Sequence, residues 1–106
     1  MKVSRLGKIM ASSVAFFAAV TAVAQDDPYA NVSIQTVPVA GNVSMLIGAG
    51  GNIGVSAGAD GILIIDDQFA PLAGRIKDAI EALGARVPKY LLNTHFHGDH
   101  TGGNAD

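Results

Sequence analysis

The chain contains no cysteine. That rules out a disulfide framework, a thiol for lipid attachment, and the thiolate ligands that close most structural zinc sites. Charge is also scarce, with Asp, Glu, Lys and Arg making up 15% of the 106 residues. No uncharged apolar run reaches the ~20 residues that a membrane-spanning helix needs; the longest, Ile9 to Ala24, counts 16. Histidine is nearly missing too. There are three, and all lie between positions 95 and 100.

What is present divides into three stretches. Residues 1–24 read as a cleavable export segment. Lys2, Arg5 and Lys8 form a positive head, the apolar run follows, and Ala22-Val23-Ala24 places small residues at a cleavage point. Residues 25–30, with Asp26, Asp27 and Pro28, read as a flexible leader, and residues 31–106 as one domain. Removal of residues 1–24 leaves 82, with four Lys or Arg against nine Asp or Glu and a formal charge of −5. A chain this acidic offers no electrostatic footprint for nucleic acid, and after cleavage nothing marks it for a membrane. A domain of this size buries only about 60% of its unfolded surface and is marginal alone.

Hydrophobic spacing orders the domain. Residues 31–40 carry Val32, Ile34 and Val37 ahead of Pro38, the pattern of an edge strand. Residues 42–47 form a second strand with Val43, Met45 and Ile47 on one face, and residues 52–56 a third. Gly48 to Gly51 is a turn. A comparison with dinucleotide-binding loops fails there, because the third glycine would fall at Ile53. Ala59-Asp60-Gly61 signals a hairpin, and Ile62 to Ile65 reads as a strand buried on both faces. Pro71 suits a helix start, Leu72, Ile76, Ile80 and Leu83 share one helical face, and Gly84 is a natural stop. Tyr90-Leu91-Leu92 opens a last strand. The sum is an antiparallel meander followed by strand, helix, strand, the last unit being a right-handed parallel crossover.

That final strand runs into Asn93-Thr94-His95-Phe96-His97-Gly98-Asp99-His100-Thr101-Gly102-Gly103. The position is where open α/β sheets put their sites, and imidazole and carboxylate are ligands for zinc and similar ions. In extended chain His95 and His97 point the same way and can share a metal, with Phe96 turned into the core. A bend at Gly98 then lets Asp99 and His100 address a second ion about 3.5–4 Å from the first. Gly102 and Gly103 allow close backbone approach to the ions, and Asn104 begins a further helix. Thr94 and Thr101 offer only local hydrogen bonds. Asp66 reads either as a group that orients a ligand histidine or the cluster loop, or as a turn residue; Asp67 reads as a turn residue.

His-x-His-x-Asp-His after a buried strand, followed by Gly-Gly-Asn, resembles the motif of the metallo-β-lactamase superfamily, and Gly61 to Asp66 resembles the strand and aspartate that precede it. The likeness covers residues 31–106. It implies an α/β fold, the N-terminal half of an αββα sandwich, with His95 and His97 on the first ion and Asp99 and His100 on the second. Asp99 would also orient the metal-bound hydroxide. The family completes both sites with two further histidines and a bridging aspartate. No His follows His100, so the chain is expected to be an inactive part of a longer protein. The implied activity is a metal-dependent, dizinc hydrolase acting on a small-molecule ester, lactam, lactone or thioester. An iron-dependent dioxygenase of the persulfide type and an exported metal-binding accessory protein without turnover stand as alternatives.

Overall fold

The computed structural model describes residues 24–84 and 87–106; the expected export segment, apart from Ala24, lies outside them. Five strands form one sheet: β1 (Gln35–Ala40), β2 (Val43–Ile47), β3 (Ile53–Gly58), β4 (Gly61–Ile65) and β5 (Tyr90–Leu92), in the order β1-β2-β3-β4-β5. The first four pair antiparallel, and β5 pairs parallel with β4, setting Ile64 beside Leu91. Ala59 and Asp60 make the two-residue β3–β4 turn, closed by Gly58 opposite Gly61. Between β4 and β5 a 3₁₀ turn, Ala70–Leu72, leads into helix α1 (Ala73–Glu81). Gly84, at φ +151, follows in a conformation that side chains resist.

One face of the sheet carries the core. Leu46, Ile53, Val55, Ile62 and Ile64 meet Leu72, Ile76 and Ile80 from the helical side, each worth about 1.5–3 kcal/mol when fully buried. The opposite face is uncovered among the described residues. Val43 is 40% exposed and Ile65 40%, so the face of β2 holding Val43, Met45 and Ile47 is not the core face, which belongs to Leu46. Ile62 to Ile65 is likewise covered on one side only. Apolar alternation assigns residues to a common face but does not say which face a helix will cover.

The segment read as a leader is fastened at its end. Residues 28–31 form a turn, Tyr29 lies against Phe69 with ring centroids 5.3 Å apart, and Arg75 Nη1 donates to the carbonyls of Tyr29 and Val32. No helix among the described residues is long and apolar enough to cross a membrane.

Candidate metal centre

The end of β4 makes two consecutive assignments. Asp66 and Gln68 both adopt positive φ, +65 and +60, so Asp66, Asp67 and Gln68 leave the strand in different directions. Asp66 turns to the histidine loop. It is 2% exposed and accepts the Thr94 amide at 2.7 Å on Oδ1, and the Thr94 hydroxyl at 2.8 Å and His100 Nδ1 at 2.7 Å on Oδ2. Burial by itself would raise its pKa. The Thr94 amide, the His100 imidazole and the Thr94 hydroxyl outweigh burial and hold the carboxyl below the usual range.

An ionised Asp66 only accepts, and this dictates where the protons sit. His100 must carry hydrogen on Nδ1, and in the neutral imidazole that leaves the Nε2 lone pair free. That Nε2 stands 3.4 Å from Asp99 Oδ2. The one proton of the Thr94 hydroxyl goes to Asp66, so His95 Nδ1, 2.9 Å from the same oxygen, must be the donor there. His95 Nε2 is thereby left with its lone pair directed at His97 Nδ1, 3.1 Å away. A single buried carboxylate therefore sets a histidine tautomer in each of two donor pairs.

Two ligand atoms on one tetrahedral zinc, at bonds of about 2.0–2.1 Å, stand about 3.3 Å apart. Both pairs have that spacing, and their nitrogen and carboxylate donors suit the ion. The rings of His95 and His100 are 4.0 Å apart, which brings the pairs together. They remain pairs: among the described residues, no group of three or more His, Asp or Glu is disposed to hold a metal ion. The donors present fit part of each coordination sphere.

Several expectations need correction. Phe96 does not enter the core; it is 86% exposed and stands edge-on to His97 at 4.9 Å. The reason is that β5 ends at Leu92, so strand alternation no longer governs residue 96. Gly98 opens the four-residue helix α2 (Gly98–Thr101) without a left-handed φ, and a Cβ there would meet nothing within 4 Å. The bend does not require glycine. Gly102 and Gly103 are needed for close packing, but against the β4–α1 turn: a Cβ on Gly102 would lie 2.7 Å from the Gln68 carbonyl, and one on Gly103 3.0 Å from that of Asp67. Asn104 lies in a turn, with Nδ2 donating to Asn93 Oδ1 at 2.8 Å.

Asp67 points away from the histidines. Its Oδ1 accepts the Gly103 amide at 3.0 Å, whereas Oδ2 is buried with no partner among the described residues. Burial raises its pKa against the pull of that amide, and Asp66 and Asp106 push the same way. It borders a cavity of about 280 Å³ with Ile64, Ile76, Ile80 and Leu91, on the helix side and away from the metal-type donors.

Sequence reasoning missed four contributors. Thr94, read as making local hydrogen bonds only, links Asp66 to His95. Gln68 is fully buried. Gly50 and Gly51 abut Asp99 and His100 so closely that a Cβ on either would collide with them. The glycine run was visible in the chain; its neighbours were not.

The chain also resembles known proteins. The family model described as the metallo-beta-lactamase superfamily matches residues 38–106, and the chain belongs to that superfamily. A subclass B3 metallo-beta-lactamase of Bradyrhizobium japonicum is 31% identical, with TM-score 0.62 over 74% of this chain and 30% of its own. A class B3 di-zinc metallo-beta-lactamase from an Alaskan soil metagenome is 25% identical, with TM-score 0.61 over 76% of this chain and 31% of its own. A beta-lactamase from Chitinophaga pinensis, 24% identical with TM-score 0.63 over 84% of this chain and 33% of its own, shares the fold. The chain thus spans about a third of the length of these solved structures. No curated protein matches it.

Proposed function

We propose that the chain carries four of the ligands of a dizinc hydrolase, with His95 and His97 on one ion and Asp99 and His100 on the other. The carrying observation is the hydrogen-bond geometry around Asp66, which in the neutral imidazoles leaves one lone pair facing a second donor in each pair. When bound, zinc polarises a carbonyl and lowers the pKa of water to about 7. The side chains bind and orient: Asp66 and Thr94 fix the imidazoles, and the half-exposed Asp99 carboxylate accepts a hydrogen bond from the attacking water. The β-lactam amide is the proposed substrate class, because the solved relatives at 31% and 25% identity are metallo-beta-lactamases. Two donors hold an ion weakly. We therefore place the completing ligands outside these 106 residues and expect little turnover without them.

Zinc titration of the protein with its remaining ligands tests the reading. Two equivalents are expected, with His95→Ala weakening one step and His100→Ala the other; no zinc uptake at all would defeat the proposal. In the protein with its remaining ligands, Asp99→Ala should slow β-lactam ring opening by about 10²–10⁴-fold, the range of a lost proton-handling group. Undiminished turnover would remove Asp99 from that role.

Residues 1–24 are proposed to direct export and then to be cleaved. Mass spectrometry of the exported protein should find a chain beginning at Gln25. Recovery with Met1 still attached would contradict cleavage.

A further inference from the structure

We infer that Gln68 is a positioning residue that holds the Gly48–Gly51 loop against His100 and Asp99, and so sets the second donor pair and not the first. The inference rests on the dizinc reading but concerns a residue outside both pairs. Gln68 is 0% exposed and sits at φ +60, a conformation uncommon for a residue with a side chain. Its Nε2 donates to the Gly51 carbonyl at 2.6 Å, and its own carbonyl accepts the amide of Gly102, immediately after α2, at 2.8 Å. One residue of the β4–α1 turn thus ties the β2–β3 loop to the exit of the histidine loop.

The far side of that tie is the donor pair. The Gly51 amide donates to the Asp99 carbonyl at 3.3 Å. The Gly51 Cα faces the His100 ring so tightly that a Cβ would lie 2.3 Å from Cε1, and one on Gly50 would lie 2.8 Å from Asp99 Cβ. The loop is therefore a wall behind His100 and Asp99, and Gln68 is its side-chain anchor. Gln68 also presses on Gly48, where an added Cβ would come within 2.6 Å of Oε1. The buried Oε1 has no hydrogen-bond partner among the described residues, so the amide acts through its nitrogen. His95 and His97 are held instead through Thr94. Loss of the Gln68 amide should be felt by one pair alone.

Gln68→Met keeps the volume and removes the donor. Gln68→Asn tolerates the left-handed backbone but is one methylene too short to reach Gly51, and it serves if the Met variant does not fold. Each is titrated with Zn²⁺ in the protein with its remaining ligands, and each metal-free protein is examined by imidazole ¹⁵N NMR. The expected result is a Kd at the His100–Asp99 step about 10-fold weaker, the lower end for loss of an outer support, with the His95–His97 step within twofold. In the metal-free protein the His100 resonances should shift while those of His95 and His97 stay. Equal weakening of both steps, or unmoved His100 resonances, overturns the inference. If the unsubstituted protein takes up no zinc, the dizinc reading fails while the NMR arm still decides the role of Gln68.

Discussion

Asp66→Asn is expected to destabilise the fold and loosen both donor pairs at once. The asparagine can still accept from the Thr94 amide, but an NH₂ then replaces the oxygen that meets the Thr94 hydroxyl and His100 Nδ1. To avoid opposing two donors, His100 would move its proton to Nε2, the nitrogen facing Asp99. The nitrogen that should bind a metal would then be blocked. Leaving buried polar groups mismatched costs about 1–3 kcal/mol, a fall in Tm of about 5 °C or more in a domain this small. Loss of such an outer partner lowers metal affinity by about 10–100-fold.

The acid dependence has a definite sign. The folded pKa of Asp66 lies below its ordinary value, so its contribution is complete above about 4, the unfolded value. It disappears as the pH falls through the folded pKa. Asp67 acts oppositely, because its raised pKa means that its charge costs stability at neutral pH; both chains carry it, and it largely cancels. Urea unfolding of the two proteins from pH 7 to pH 3 should therefore show a gap that narrows on acidification. A pH-independent gap would show that the charge on Asp66 is not what matters.

Gly51→Ala is the second large effect. The new methyl would stand 2.3 Å from Cε1 of His100, 2.7 Å from Nε2 and 2.8 Å from Nδ1, inside any contact real atoms make. Gly51 does not have a left-handed φ, so the requirement is for space and not for torsional freedom. Either the ring leaves Asp66 and Asp99 or the loop lifts from the site. Overpacking of this kind costs about 1–3 kcal/mol, and zinc affinity at the His100–Asp99 pair should fall at least as far as in the Gln68 variants. Gly54→Ala is the control, since its methyl would meet Ile65 at an ordinary 3.5 Å. Equal zinc binding by Gly51→Ala and the unsubstituted protein would show that the glycine wall does not constrain His100.

The candidate donors were legible before folding because they are near neighbours in the chain. His95, His97, Asp99 and His100 lie within six residues, and a strand ending just before them is enough to bring them together. The elements were legible for a related reason: hairpin turns and a helix spaced by Leu72, Ile76 and Ile80 depend on near neighbours. Phe96 departs from its expected core position because local periodicity stops at the end of β5, four residues before it. Gln68 was silent because nothing in Asp66-Asp67-Gln68-Phe69 announces a partner seventeen residues earlier at Gly51.

The sequence by itself determined the donor atoms, their order and the strand-turn-strand frame, since these follow from side-chain chemistry and short-range spacing. Only the tertiary structure decided which proton each imidazole carries and what stands behind it. Both outcomes depend on Asp66 reaching across to Thr94 and His100, and on Gly51 meeting His100. Such contacts join segments far apart in the chain, and they come into being when burial of one sheet face on α1 brings the strand ends together.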